Sequence, residues 1–345
     1  MSGIRELPER VFRFIEEGVV SEFATVSKAG VPIDTPTYYF PSEDMATIDV
    51  ATGQSYPAKA ERARNNPKVG LLMEGYPQEP VVAMRGIAAV RDADLQSNAV
   101  RYISETGFKS IAFDLDWSGA RKAVWYWTRI IVEVMPERIM WWDNPAAMDG
   151  PPHIWSAPEG TVFPRSDPKP PGETSPSSQW KQRPWQEIAA GALDRGAAAH
   201  LYLVDEDGFP LSFRAREFEL VGDRFRIVMP KGLPWKGTGT GSLTFEGIET
   251  FLGEVTQDGG THWLAVERAL PEHPLMKNPI EVLQPSDEIR GKLMARLDYE
   301  IKRRGQAIPT IPEELPAPTR MAELRRARID RGAPITGMTE ARGNR

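Results

Sequence analysis

The chain contains no cysteine and only four histidines among its 345 residues. Without cysteine there can be no disulfides, iron–sulfur clusters, thiolate zinc sites or cysteine nucleophiles. The few scattered histidines favour neither a histidine metal centre nor Ser-His-Asp catalysis, so no metal site is predicted. No run approaches the ~18 apolar residues of a transmembrane helix. With the lack of disulfides, this predicts a cytoplasmic protein that makes no use of a membrane.

The chain also carries fewer positive than negative charges. The chain has 42 lysines and arginines against 48 aspartates and glutamates, a net charge of −6. Nucleic acids and anionic membranes need a positive field, so neither is an expected partner. Hydrophobic residues make up 41% and charged residues 26%, which indicates a folded chain. Its length favours two domains.

Proline, in contrast, is abundant, with 31 residues, and it is concentrated in one central stretch. Proline lacks an N–H and restricts the residue before it, so this stretch is predicted to carry no continuous helix or strand ladder. We therefore predict a first domain over 1–143, a proline-rich connection over 144–183, a second domain over 184–284, and C-terminal helices with a basic tail over 285–345.

Strand patterns dominate both predicted domains. Alternating segments bounded by turn residues predict about six strands in each, which favours two small antiparallel barrels. Ala123–Val134 is predicted to be a strand, followed by another at Arg138–Trp142, and Pro210–Leu220 is predicted to be one continuous strand. The segments LLMEG at 71–75 and LTFEG at 243–247 favour a tandem duplication. Two unrelated meander barrels that share similar hairpins are the alternative.

The segment 51–72, ATGQSYPAKAERARNNPKVGLL, suggests a specific chemistry. A strand ends in small and hydroxyl residues, and a helix then begins that carries Lys59. Free N–H groups at a helix N-terminus accept phosphate readily, and Thr52, Ser55 and Lys59 could add two hydroxyls and a charge. The alternative is a surface helix whose basic residues are merely solvated.

Four pieces of sequence follow one another in order over about 110 residues. They are FATVSKAGVP at 23–32, TPTYYF at 35–40, Thr52…Ser55…Lys59…NPKVGLL ending at 72, and VAMRG at 82–86. This ordered set resembles the pyridoxamine 5′-phosphate oxidase-like, FMN-binding split-barrel family, and the second half resembles a more degenerate copy. The resemblance implies a mainly β fold of two tandem six-stranded split β-barrels.

The resemblance further implies non-covalent FMN in a groove between two barrels, from a homodimer or from an internal pseudodimer. Thr35–Tyr38 would lie along the flavin, Thr52, Ser55 and Lys59 would hold its phosphate, and the strand from Val81 would supply backbone near the ring. The cofactor-binding residues implied in this way are Thr35, Pro36, Thr37, Tyr38, Thr52, Ser55, Lys59, Val82 and Met84.

Several family features are missing. The oxidase has an arginine before the helix lysine and a glutamine in the later strand, where this chain has Ala58 and Val81. Its C-terminal substrate-binding arginine and histidine have no counterpart, so oxidation of pyridoxamine phosphate is not predicted. The second half lacks the phosphate-helix spacing. Its glycine-rich segment with Lys236 is either an anion nest or a flexible connection.

The expected function is hydride transfer at FMN N5 to or from a small organic molecule or a nicotinamide, and no catalytic side chain can be named. The deazaflavin F420 is an alternative cofactor, and a non-catalytic flavin-binding protein is an alternative function. A cluster of aromatic residues is either an apolar wall beside the flavin or barrel core, namely Trp117, Trp125, Tyr126, Trp127, Trp141 and Trp142.

Overall fold

The computed structural model describes residues 3–107, 116–175, 183–235, 237–271 and 283–331, and they form two antiparallel β-sheets with short helices. The prediction of a mainly β fold is confirmed. The first sheet has the order β3-β2-β1-β4-β5-β6-β7, and β3 also pairs with β6, which closes its first six strands into a barrel. Its strands are β1 (Val20–Val26), β2 (Pro32–Pro41), β3 (Ile48–Gly53), β4 (Lys68–Met73), β5 (Val81–Arg91), β6 (Arg129–Trp142) and β7 (His153–Ser156).

Two parts of this sheet differ from the prediction. The predicted strand at Arg138–Trp142 is the end of the single long strand β6, which continues through Pro136 with a register shift opposite Arg85 and Gly86. The proline-rich connection also contributes a strand, because the four proline-free residues of β7 pair with the end of β6.

The prediction of a strand from Ala123 is wrong at its beginning. Val124–Trp127 form a short helix, and the strand starts only at Arg129. Two side-chain hydrogen bonds stabilise the helical turn: the Thr128 hydroxyl donates to the carbonyl of Val124 at 2.8 Å, and the Trp127 indole N–H donates to the carbonyl of Ala120 at 2.8 Å. These local bonds outweigh the strand propensity of the aromatic residues.

The second sheet has the order β10-β11-β14-β13-β12-β8-β9. Its second predicted strand, Pro210–Leu220, is divided into β9 and β10. The N–H of Ala215 donates to Ala199 on β8, whereas the N–H of Arg216 donates to Val228 on β11, so the chain changes partner between two consecutive residues. If β9 and β10 are counted together, the order of pairings equals that of the first barrel. The strands are β8 (Ala199–Val204), β9 (Pro210–Arg214), β10 (Glu217–Val221), β11 (Arg224–Val228), β12 (Gly239–Phe245), β13 (Glu249–Asp258) and β14 (Thr261–Ala269).

Helices surround the first barrel more than the second. They are α1 (Glu9–Glu17), α2 (Ala58–Asn65), α3 (Leu95–Thr106), α4 (Trp117–Ala120), α5 (Val124–Trp127), α6 (Trp185–Asp194), α7 (Asp287–Arg304) and α8 (Arg320–Asp330), with 3-10 turns at Gly3–Glu6 and Pro145–Asp149. The apolar face of α7, with Leu293, Leu297 and Ile301, packs into the hydrophobic core of the first barrel. Helix α8 docks on α1 and α3. Within the described residues, the helices are too short or too polar for any of them to traverse a bilayer.

The two barrels pack directly against each other. The outward side chains of β4, β5 and β6 belong to the hydrophobic cluster of the second barrel, not to that of the first. Trp142 on β6 meets Phe213 on β9 edge to face, with ring centroids 5.7 Å apart. Burial of each large apolar side chain contributes roughly 2 kcal/mol, so this contact holds the two halves as one unit.

Candidate functional site

The corner between β3 and α2, where the phosphate is predicted to bind, lies beneath the C-terminal helix α7. The Ser55 hydroxyl donates to the carbonyl of Leu293 at 3.2 Å, and Arg296 Nε donates to the carbonyl of Ser55 at 2.7 Å. The Thr52 hydroxyl donates to the carbonyl of Tyr56 at 3.2 Å. Both predicted phosphate hydroxyls are therefore buried and engaged within the protein.

Lys59, the predicted phosphate lysine, points to a different surface. Its Nζ donates to the Thr37 hydroxyl on β2 at 3.1 Å, so two of the predicted residues do meet. Burial, together with the charges of Arg62 and Arg129, lowers the pKa of Lys59 to about 7, although the charges of Asp34 and Glu22 oppose the change. An ammonium group in this position lacks an adequate counter-charge.

Two arginines accompany Lys59. Arg62, one turn later on α2, donates from Nε to the Thr25 hydroxyl at 2.7 Å, and burial lowers its pKa to about 10. Arg129, at the start of β6, is 9% exposed, and neither its Nε nor its Nη2 has a hydrogen-bond partner among the described residues. Because buried polar groups are normally paired, these two nitrogens indicate a missing acceptor.

The Arg129 guanidinium is held between two tyrosine rings. Its carbon lies 4.3 Å from the ring centroid of Tyr102 on α3 and 4.1 Å from that of Tyr126 on α5. The two phenol oxygens are 3.2 Å apart. Stacking of this kind fixes the plane of the guanidinium while leaving its N–H edge available for an anion.

The strand residues predicted to contact the flavin separate into two groups. Thr35, Pro36, Thr37 and Tyr38 lie on β2, and Pro36 touches the second barrel, since a Cβ on Gly247 would lie only 2.1 Å from Pro36 Cδ. This stretch therefore borders the junction between the barrels.

Val82 and Met84 are placed differently. Both side chains are fully buried in the core of the first barrel. Strand β5 pairs with β4 on one side and with β6 on the other, so the backbone of both residues is used in ladders. The side chains of these two residues are thus part of the barrel core, and their contact with a cofactor stays a prediction.

A second set of ionisable side chains lies next to Lys59, between the barrels. Glu22 on β1 and Asp34 on β2 are buried, and Tyr202 on β8 donates from its hydroxyl to Glu22 Oε2 at 3.4 Å. Burial, followed by the charge of Asp34, raises the pKa of Glu22 well above its ordinary value. Burial also raises the pKa of Asp34 to about 6, opposed by its contacts with Glu22 and Tyr202.

An ion pair between the two barrels extends this set. His200 Nε2 on β8 lies 2.9 Å from Glu74 Oε2, at the end of β4. Burial is the largest single influence and would lower the pKa of His200, but the hydrogen bond to Glu74 and the charges of Glu22 and Glu74 together raise it. The junction between the barrels is therefore lined by groups whose protonation depends on one another.

A cavity of 790 Å³ lies elsewhere, beside Trp155, Pro136 and Asp44, and none of the predicted site residues lines it. A cavity of 10 Å³ borders Tyr38. In the described part of the chain, no three His, Asp or Glu side chains are grouped so as to hold a metal ion.

The aromatic cluster is mostly structural. Trp127 and Trp142 are about 1% exposed or less, and both belong to hydrophobic cores. Among the six residues of this cluster, Tyr126 is the one described in contact with the Arg129 guanidinium. Lys236, the lysine of the alternative anion nest, lies outside the described residues, as does the tail beyond Arg331.

Sequence reasoning missed Arg129, Glu22, Asp34 and Tyr202. A signal existed for three of them. Arg129 is the one charge between Ala123 and Val132, and Glu22 and Asp34 are charged residues inside strands that otherwise carry apolar and hydroxyl side chains. A charge in such a position is costly unless it is paired or used.

No family model matches the chain, and no curated protein matches it. Solved structures are similar to part of it, and three of them serve as examples. General Stress Protein 26 from Bacillus anthracis str. Sterne is 17% identical, with a TM-score of 0.31, over 43% of this chain and 97% of that one. A FAD-binding protein from Mesorhizobium loti is 18% identical, with a TM-score of 0.28, over 37% of this chain and 88% of that one. An F420 reductase is 16% identical, with a TM-score of 0.31, over 40% of this chain and 100% of that one. Likenesses at this level carry no functional argument, and the barrel assignment stands on the strand pairings themselves.

Proposed function

We propose that this chain is a flavoprotein of the FMN-binding split-barrel type and an oxidoreductase that acts on a small organic molecule or a nicotinamide. The observation that supports this most is the group formed by the buried Arg129 and the half-buried Lys59 and Arg62. Two nitrogens of Arg129 have no acceptor among the described residues, and the neighbouring cations disfavour the ammonium form of Lys59. A phosphate monoester, with a charge near −2 and several acceptor oxygens, would supply what this group lacks.

The phosphate grip proposed here differs from the one implied by the family resemblance. Ser55 and Thr52 donate to main-chain carbonyls and are not available to a ligand. The binding charge comes instead from Lys59 and Arg129, and Thr37 adds a hydroxyl beside them. Arg129 would thereby replace the arginine for which this chain has Ala58.

When bound, FMN would supply the hydride chemistry at its N5 atom. The residues of the chain bind and orient it. Thr35–Tyr38 on β2 line the boundary with the second barrel, and the Tyr102 and Tyr126 rings fix Arg129. Burial raises the pKa of Tyr38 above its ordinary value, so this side chain is a neutral phenol beside the site.

We further propose that each chain holds one cofactor as an internal pseudodimer of duplicated barrels. In the second half, no helix is described between β11 and β12, where the first half carries α2. Trp235 packs on Phe213 there, with ring centroids 4.8 Å apart. This packing occupies the place in which a second phosphate helix would lie.

The test is a titration of purified protein with FMN and with F420, followed by visible absorption and calorimetry. We expect one flavin per chain. Arg129→Gln and Lys59→Ala should each weaken FMN binding roughly 10- to 100-fold, as expected for a lost charge-assisted hydrogen bond. Lys28→Ala, in the exposed β1–β2 turn, is the matched control.

Reduction of the bound flavin by NADH or NADPH, and its reoxidation by an organic acceptor, separates an enzyme from a carrier. Bound flavin that no nicotinamide reduces would favour the flavin-binding protein. Absence of binding by either cofactor would reject the proposed function altogether.

A further inference from the structure

The Lys59 ammonium nitrogen lies where charges of opposite sign meet. From its own helix it faces Arg62, from β6 Arg129, and from β1 and β2 the carboxyl groups of Glu22 and Asp34. Its single described hydrogen bond is to the uncharged Thr37 hydroxyl. No carboxylate oxygen forms an ion pair with it among the described residues, so its charge is poorly balanced.

The two carboxyl groups beside it are themselves shielded from water. Glu22 is 8% and Asp34 5% exposed. Facing them from the second barrel are Tyr202 and His200 on β8, and beyond these Glu74 and Arg214. Two carboxyl groups this close together and this deeply buried cannot both ionise freely, because each charge raises the cost of the other.

We propose that binding of a phosphate-bearing ligand at Lys59 and Arg129 is coupled to proton uptake by Lys59, so that alkaline pH releases the ligand. This inference rests on the proposed function for the identity of the ligand. Without an anion, the neighbouring cations and the burial favour the neutral amine. With a phosphate dianion against it, the ammonium form gains a partner that the protein itself does not provide.

The proton balance is simple. On binding, an N–H bond forms on Lys59 Nζ. The proton comes either directly from solvent or from the Glu22–Asp34 pair, and in the second case the pair then takes up a replacement proton from solvent. The charge of the occupied site rises by one, which offsets half of the phosphate charge. Asp34 acts as a positioning residue, since its negative charge favours the ammonium form of Lys59.

The pKa of Lys59 in the free protein, about 7, sets where the coupling begins. Below this pH the lysine already carries its proton, and affinity should change little. Above it, each pH unit should cost about tenfold in affinity until the pKa of the occupied site is reached. The phosphate group, with a second pKa near 6, is already dianionic over this range.

The experiment is a titration of the full chain with FMN at pH 6.5 to 9, with riboflavin as the probe that lacks the phosphate and inorganic phosphate as the probe that lacks the flavin. For the wild type we expect the dissociation constant of FMN to rise roughly 30- to 100-fold across the range. Riboflavin binding should be flat. Calorimetry in buffers of different ionisation enthalpy should give close to one proton taken up per FMN at pH 8.

Lys59→Arg is the decisive variant. Its guanidinium stays charged across this range, so FMN binding should persist while the pH dependence disappears. Asp34→Asn should move the onset of the pH dependence to lower pH. A wild-type FMN affinity that stays constant from pH 7 to 9, or a Lys59→Arg protein with the wild-type slope, would overturn the inference while leaving the proposed function intact. Failure of all three probes to bind would instead reject the proposed function.

Discussion

Replacement of Lys59 by methionine should stabilise the ligand-free protein while it abolishes phosphate binding. The pKa of this lysine falls from 10.5 to about 7 on folding. This fall means that folding disfavours the ammonium form by roughly 4 to 5 kcal/mol. Relaxation and water penetration reduce such penalties, so we expect about 2 to 3 kcal/mol of added stability near pH 6. Methionine keeps most of the apolar length of lysine and carries no charge.

The direction in which the stability gain of Lys59→Met changes with pH is a stricter test than the size of that gain. Below pH 7 the lysine is protonated in both the folded and the unfolded chain, and the full penalty applies. Between pH 7 and 10.5 the folded chain holds the neutral amine, and the penalty shrinks as the pH rises. The advantage of Lys59→Met should therefore fall by about half between pH 6 and pH 9.

Urea unfolding of the wild type and of Lys59→Met at pH 6 and pH 9 measures the difference in their free energies of unfolding, with Lys28→Met in the exposed turn as the control. The control should match the wild type at both pH values within about 0.5 kcal/mol. If Lys59→Met were less stable than the wild type at pH 6, or if its gain were the same at both pH values, the description of Lys59 as a half-buried and poorly balanced cation would be wrong.

Three further changes test other parts of the structure. A Cβ at Gly70 would lie 1.9 Å from the carbonyl oxygen of Pro210, so Gly70→Ala should separate the barrels and lower the free energy of unfolding by about 2 kcal/mol or more in urea unfolding. Gly191→Ala, in the interior of α6 with open space around it, should raise the free energy of unfolding by about 0.5 to 1 kcal/mol in the same assay. Glu300, fully buried on α7, accepts from Arg303 and Arg304 at 3.0 and 2.5 Å. Glu300→Gln should cost roughly 3 kcal/mol and loosen α7, measured as faster hydrogen exchange in that helix.

Local pattern accounts for most of the fold. Strand β4 lies between Pro67 and a turn, and helix α7 begins directly after its Ser286 cap, because alternation, caps and turn residues act over a few positions. The pattern was misleading where a local bond competed with it, as at Val124–Trp127, and where one strand changed partner at Ala215.

The chemistry of the site depended on contacts that no local pattern contains. The sequence alone indicated a lysine on a helix after the third strand, and Lys59 is there. It could not indicate that α7 covers Ser55, because 238 positions separate Ser55 from Leu293. Likewise, Glu22 and Tyr202 are 180 positions apart and meet only when the second barrel packs on the first. A pKa depends on which charges and how much water surround a group in space. The sequence by itself therefore determined most strands and the place of Lys59 on α2, and only the tertiary structure decided which charged side chains lie together with too little counter-charge.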